Sequence, residues 1–324
     1  MALRFGAVLG AVVGIGLAAG TARAEDFTVG YSQFWGTNPF LVTMANGAKK
    51  SIAEWADKGV KVDMILTNGG DTDTTKQVAD LEDLYAQGVQ GLILFPGDSI
   101  VLAEPVKNIF NKENIPVVVT DIGLQSGSWD TFIITDNYAG GQSAAELMAK
   151  TVPAGSKVIT FDHAPGNDNA QMRQKGFEDK AKELGLSVQP EKFLKLSLEE
   201  GRKLMEDTLV AIPDIKGVFF FNQAVAQGAA AALAAANRTD VQLVSFDLDP
   251  VSYQMVKDGK ILGLVVQDPF KIGYEAVKTI HTKLSGGAPP KRMDLEGRVV
   301  TKANLDQPEI QKLLNPDLKK YLGA

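Results

Sequence analysis

One feature constrains the fold of this chain more than any other: a regular alternation of two kinds of segment. From Phe27 onward, short and almost wholly apolar runs are separated by amphipathic stretches of helical length. Candidate strands are Phe27–Ser32, Val60–Leu66, Gly91–Phe95, Pro116–Thr120, Phe132–Thr135, Lys157–Phe161, Gly217–Phe221, Val241–Phe246 and Ile261–Val266. A strand apolar at consecutive positions is covered on both faces, the condition of a parallel strand between two helix layers. Between the runs, Leu41, Met44, Ala45, Ala48, Ile52 and Trp55 recur at helical spacing, as do Phe177, Ala181 and Leu184. Gly88, Gly185 and Gly259 stand just past helical runs, where a left-handed cap residue is favoured. The pattern predicts a doubly wound α/β architecture. With 324 residues the chain exceeds a single hydrophobic core, so two α/β lobes are expected. The clearest break in composition falls at Leu124–Asp130, amid Gly123, Ser126, Gly127 and Ser128. The tail from Gly286 carries Pro289, Pro290, a strand around Arg298–Thr301 and a short helix near Pro308–Leu314.

The N-terminus reads as an export signal. Arg4 supplies a positive start, Gly6 to Leu17 an uncharged apolar stretch, and Ala22-Arg23-Ala24 the small residues a signal peptidase accepts. The stretch is shorter than the about 20 apolar residues a spanning helix needs. Met1–Ala24 is therefore expected to be a signal peptide cleaved after Ala24, with the mature protein exported and not membrane-embedded. The 33 basic and 39 acidic residues give a net charge of -6 with no run of Lys or Arg, against a nucleic-acid partner. There is no cysteine, so disulfides, thiolate metal sites and a cysteine nucleophile are excluded.

Ligands of open parallel sheets bind beyond the carboxyl ends of the strands. At those ends stand Ser32 and Gln33, Asn68, Phe95, Asp121, Asp162 and His163, Asn222, Asp247, and Gln267 with Asp268. Phe34, Trp35, Phe40, Phe246 and Phe270 accompany them. Carboxylates and amides can each engage neighbouring hydroxyls, and ring faces stack on C–H surfaces, so the set suits a neutral, hydroxyl-rich small molecule. No glycine-rich loop follows a strand to hold a phosphate. Asp121 and Asn222 could equally cap the next helix, and Phe246 could be core. Catalysis has little support: there are two histidines, His163 and His281, no nucleophile elbow and no zinc-spaced pair. Asp71, Asp73 and Glu82 only faintly match a calcium loop, since Lys76 stands where that loop needs Gly. Neither a metal nor a cofactor is expected.

An ordered set of motifs then resembles the periplasmic sugar-binding proteins of the ribose/galactose class, the substrate-capturing components of ABC importers. It comprises Thr37-Asn38-Pro39-Phe40, Ile115-Pro116-Val117-Val118-Val119-Thr120-Asp121, Thr135-Asp136-Asn137-Tyr138-Ala139-Gly140-Gly141 and Arg173-Gln174-Lys175-Gly176-Phe177. Phe221-Asn222, Val244-Ser245-Phe246-Asp247 and Val266-Gln267-Asp268-Pro269 before Ile272-Gly273 complete it. The resemblance implies the type I periplasmic binding fold, two similar doubly wound parallel-sheet lobes joined by a three-segment hinge. It puts the crossovers near Thr135–Asp136, Gln267–Asp268 and Glu296–Arg298, later than the break in composition. The N-terminal lobe would be 25–135 plus 268–296 and the C-terminal lobe 136–267 plus 297–324. It also implies that Asn38 and Phe40 bond to and stack on the sugar with Ser32 nearby, that Asp121 accepts from hydroxyls, and that Arg173 donates. Asn222, Asp247 and Gln267 would form the second lobe's polar set, with Phe246 beside them.

Three departures bear on the ligand. Ile122 stands where the family's ribose binders have arginine, Phe95 stands where they have an amide, and Phe34-Trp35-Gly36-Thr37 lengthens the loop before Asn38-Pro39. The expected ligand is a small neutral carbohydrate or polyol: another pentose, a hexose, a deoxysugar or an acyclic polyol. Expected partners are the membrane permease subunits of an importer, with the binding protein itself a monomer. A sugar-sensing adaptor for a chemoreceptor or sensor kinase would share this fold, and an exported sugar-modifying enzyme is a more distant alternative.

Overall fold

Each apolar run becomes a strand because a side chain on either face finds a helix to cover it. The computed structural model describes residues 26–69, 73–163, 168–189, 192–194 and 197–314. The expected signal peptide Met1–Ala24, Asp71 and the side chains of Asp162 and His163 lie outside the described residues. In chain order the elements begin with β1 (Phe27–Gln33), α1 (Pro39–Asp57), β2 (Val62–Asn68), α2 (Thr74–Ala86) and β3 (Gly91–Phe95). A short α3 (Ala103–Pro105) continues as the π-helical turn Val106–Asn111, followed by β4 (Val117–Thr120), β5 (Thr131–Thr135) and α4 (Asn137–Ala149). Then come β6 (Lys157–His163), α5 (Asp168–Glu183), β7 (Ser187–Val188), β8 (Lys192–Leu194), α6 (Leu198–Ala211), β9 (Gly217–Phe220) and α7 (Gln223–Ala235). The chain continues through β10 (Gln242–Phe246), α8 (Pro250–Lys257), β11 (Gly263–Val266) and α9 (Pro269–Leu284). It ends in β12 (Arg292–Leu295), β13 (Arg298–Thr301) and α10 (Pro308–Leu314).

Two sheets result. The first has the order β12-β5-β4-β3-β1-β2, and the second β13-β11-β10-β9-β6-β7 with β8 also on β6. Every pairing in both is parallel except β13 on β11. Both repeat a doubly wound order whose strand ends open onto a ligand crevice. The chain passes between sheets three times. From β5 it enters α4, which packs on α5 and β10; from β11 it enters α9, which packs on α1 and β3–β5; and it passes again from β12 to β13. The Leu124–Asp130 segment joins β4 to β5, hydrogen-bonded neighbours in one sheet, so the lobe boundary expected there from composition is corrected. Short strands β7, β8 and β12 were not anticipated. They are edge or near-edge pieces such as Arg292-Met293-Asp294-Leu295, which carry no apolar run.

The helices start where their caps allow. Asn38, Asp73, Asp136, Asn222, Asp249 and Asp268 each accept a first-turn backbone N–H, and Gly88, Gly185 and Gly259 follow helices with φ of 75°, 77° and 76°. Apolar layers fill both faces of each sheet, with Tyr31, Ile93, Val118 and Ile133 on one face of the first and Leu92, Val119 and Phe110 on the other. Burying each such side chain contributes roughly 1.5–3 kcal/mol. Two helix pairs interlock through reciprocal glycines. A Cβ on Gly47 of α1 would lie 1.8 Å from the Phe270 carbonyl oxygen, and one on Gly273 of α9 1.8 Å from that of Met44. Likewise Gly141 of α4 and Gly176 of α5 would each meet a carbonyl oxygen at 2.0 Å, those of Arg173 and Tyr138. Only glycine lets these backbones approach so closely.

Candidate functional site

The carboxyl ends of the two sheets face one cleft of about 1300 Å³. The same local device is used on both sides. Asp121 follows β4 and Asp247 follows β10, both with left-handed backbone, φ 60° and 63°. In each, the backbone N–H continues the ladder by donating to the next strand, to Ile133 O at 2.8 Å and Val265 O at 2.9 Å. The turn costs on the order of 1 kcal/mol, and aspartate tolerates it better than most residues.

On the second-sheet side, Arg173 is nine-tenths buried and fully anchored. Its Nε donates to Asn137 Oδ1 at 2.8 Å, one NH to Phe221 O at 3.0 Å, and the same nitrogen lies 3.5 Å from Asp247 Oδ2. The guanidinium sits 4.1 Å above the ring of Phe246. Gln267 Nε2 donates to Asp247 Oδ1 at 2.7 Å, and Thr135 Oγ1 donates to Gln267 Oε1 at 2.7 Å. Thus a residue at one crossover holds a residue at another, and the second of them, Gln267, holds the Asp247 carboxylate. Asn38 and Asn222 cap α1 and α7 through Oδ1, which accepts from Phe40 N and Ala224 N, both at 2.9 Å. What each can offer a ligand is therefore its NH2 group.

Asp121 is enclosed between the two sides. Asn169, in the first turn of α5, reaches across and donates to the Asp121 carbonyl at 3.3 Å, with its Oδ2 at 3.5 Å. Asp121 Oδ1 is buried with no partner. Burial pushes the carboxyl pKa from 3.8 up to about 6; Arg173 pulls it down and Asp247 pushes it further up.

Eight of the sequence-predicted residues line the cleft: Asn38, Phe40, Phe95, Asp121, Arg173, Asn222, Asp247 and Gln267. Two expectations are corrected. Ser32 is wholly buried beneath the wall, where its Oγ accepts from Gln77 Nε2 at 3.2 Å. Phe246 is wholly buried too, packed edge-on against Phe219 and beneath Arg173, so it supports the guanidinium from below. Asn169 was missed because it comes from a helix start rather than a strand end. Asp249 lines the rim, but it forms the capping box of α8 with Ser252 and accepts twice from Gln227. His281 does not line the cleft and packs against the first core, stacked on Trp55 at 3.6 Å.

Fold and cleft together define a solute-binding protein of the two-lobed periplasmic type. The model of the periplasmic binding protein domain matches residues 29–288, and the chain belongs to that family. Among its relatives is the ribose import binding protein of Escherichia coli (strain K12), 32% identical over 268 residues, 82% of this chain and 87% of the relative. That of Bacillus subtilis (strain 168) is 31% identical over 82% of this chain and 84% of its own length. The crystal structure of a carbohydrate transporter solute-binding protein from Agrobacterium radiobacter in complex with D-arabinose superposes with a TM-score of 0.73. It shares 30% identity, over 90% of this chain and 99% of that one. An ABC transporter solute-binding protein from Agrobacterium vitis with bound D-fucose superposes at 0.72 with 26% identity, over 88% and 98%. The chain is a substrate-binding protein of the sugar-importer class, a class of binding proteins and not of enzymes. Membership of the family implies a periplasmic location.

Proposed function

We propose that this protein captures one small neutral monosaccharide or polyol between two lobes that close on it, and delivers it to the permease subunits of an ABC importer. The lobes are residues 25–135 with 268–296, and 136–267 with 297–324, joined by the three crossovers. The observation that carries this reading is the pair of matching turns that present Asp121 and Asp247 to one cleft from opposite sides, with Arg173 between them. A ligand hydroxyl could donate to Asp121 Oδ1, which lacks a partner, while Arg173, Asn38 and Asn222 donate to ligand oxygens. Closure then selects the ligand-bound state from an open–closed population. Relatives that import ribose and a neighbour holding D-arabinose support a sugar of this size. In this reading Met1–Ala24 is removed on export and the mature protein acts as a monomer in the periplasm.

A thermal-shift panel of pentoses, hexoses, deoxysugars and polyols tests it. A ligand at about 100 times its Kd stabilises by roughly 2.7 kcal/mol, a shift of several degrees. The hit should be recovered chemically unchanged. A flat panel with ligand-stripped protein would refute the sugar reading.

A further inference from the structure

The two walls of the cleft differ in chemistry. The second-sheet wall presents Arg173, Asn222, Asp247 and Gln267, whereas on the first-sheet side Phe34, Phe95, Ile122 and Leu124 stand beside Asp121, with Asn38, Ser99 and Gln125 as the polar groups of that side. The side chains of Phe34, Phe95, Ile122 and Leu124 offer no hydrogen-bonding group. The Phe34 and Phe95 rings lie 5.5 Å apart and tilted by 33°, so with Ile122 they make a corner rather than a flat platform. Phe34 and Ile122 pack from the cleft onto the core of the first sheet.

This corner is held firmly from behind. Gln77, wholly buried in α2, commits its whole amide to the corner's backing. Its Nε2 donates to Phe95 O at 2.8 Å and to Ser32 Oγ at 3.2 Å, while Oε1 accepts from Gly97 N at 2.8 Å. A Cβ on Gly97 would lie 2.9 Å from Cβ of Phe34, so the missing side chain leaves room for that ring. Gln33 Nε2 donates to Asn68 Oδ1 at 2.7 Å and Gly69 N to Gln33 O at 2.8 Å, which fixes the strand end from which Phe34 departs.

We propose that this corner is an apolar subsite and that the ligand is a deoxysugar, a carbohydrate carrying a methyl or methylene against Phe34, Phe95 and Ile122. The inference rests on the sugar-binding reading above and narrows it. A sugar face stacks on a single ring whether or not it lacks an oxygen, but a corner of two rings and a branched aliphatic chain takes an edge. A hydroxyl pressed into that corner gives up water and finds no partner, whereas a methyl gains by burial. The remaining hydroxyls face the polar wall, and Asp121, beside the corner, accepts from one of them.

Titration calorimetry on the mature protein with pairs differing by one oxygen tests this: D-fucose against D-galactose, L-rhamnose against L-mannose, and 2-deoxy-D-ribose against D-ribose. The deoxy member of at least one pair should bind about tenfold or more tighter. Phe95→Asn should bring that ratio close to one. Since that variant replaces a core ring, the milder Ile122→Asn at a half-buried position should shrink the ratio as well. Asp247→Ala, on the opposite wall, should weaken both members and leave the ratio standing. Hydroxylated members that bind as tightly or tighter in every pair would overturn the proposal while keeping the sugar reading. A ratio that survives both wall variants would overturn it too. Failure of all six sugars to bind, with a hit elsewhere in the wider panel, would overturn this inference and keep the sugar reading; a flat wider panel would refute both.

Discussion

The enclosed carboxyl of Asp121 makes ligand affinity depend on pH, with a sign and size that follow from its surroundings. In the free protein its pKa stands at about 6, because burial penalises the charged form more than Arg173 favours it. A ligand hydroxyl donating to the unpartnered Oδ1 stabilises the carboxylate and lowers that pKa. Ligand should therefore bind the ionised form. At pH 8 nearly every molecule is already in that form and affinity is at its plateau. At pH 5, one unit below the pKa, roughly nine in ten hold the proton, so the apparent Kd rises about tenfold, or about 1.4 kcal/mol. The free protein responds oppositely. A raised carboxyl pKa contributes stability that is full below the unfolded value of 3.8 and lost as pH rises through about 6. Calorimetric titrations between pH 5 and 8, in two buffers of different ionisation enthalpy, should record about one proton released per ligand at pH 5 and none at pH 8. Asp121→Asn should hold affinity at its weak level and abolish the pH dependence. A Kd constant across this range in the wild type, with no buffer dependence, would refute the reasoning.

Other variants probe the supports. Arg173→Met keeps much of the packing on Phe246 but removes the donors to Asn137 and Phe221 and leaves Asp247 without its cation. Ligand affinity by calorimetry should fall by more than about tenfold. Gln77→Leu leaves the Gly97 N–H without its acceptor and removes donors from Phe95 O and Ser32 Oγ; chemical denaturation should record a loss of about 1–3 kcal/mol or more. Gly141→Ala forces a methyl against the Arg173 carbonyl at 2.0 Å, so α4 and α5 must part. A stability loss of about 1–3 kcal/mol should appear together with weaker binding, because the helix that moves carries Arg173. His281, buried against Trp55 and near Lys58, has its pKa lowered chiefly by desolvation. Its contribution to stability is full above the unfolded value of 6.5 and lost as pH falls below it. His281→Gln should flatten that part of a Tm–pH profile.

Most of the architecture was legible because parallel strands covered on both faces must be continuously apolar, as in Leu92-Ile93-Leu94 and Val117-Val118-Val119. The residues after those strands were legible as cleft residues for the same topological reason. What escaped lies where that logic stops. β12 pairs along the edge of its sheet through Arg292 and Asp294, so its backbone joins a ladder without an apolar signature. Asn169 enters from the first turn of α5, and Gln77 from the middle of α2; a scan of strand ends passes over both. Ser32 and Phe246 were misread because a residue at a strand end still alternates between faces. Ser32 turns to Gln77, and Phe246 to Phe219, beneath the surface that Asp121 and Asp247 reach by their left-handed turns.

The three crossings also set the order in which the molecule can become whole. The first sheet takes its edge strand from Arg292–Leu295 and its α1 partner from Pro269–Leu284, both later in the chain than β6 to β11 of the second sheet. A growing chain that has emitted everything up to β11 still holds a first lobe with an open edge and an uncovered face at Gly47. The second lobe in turn waits for Arg298–Thr301 to close β11. The two sheets are completed within a few residues of each other, by β12 and then β13, so the nascent protein should stay incompletely folded until about residue 300, and truncation before Arg292 should disable both lobes at once.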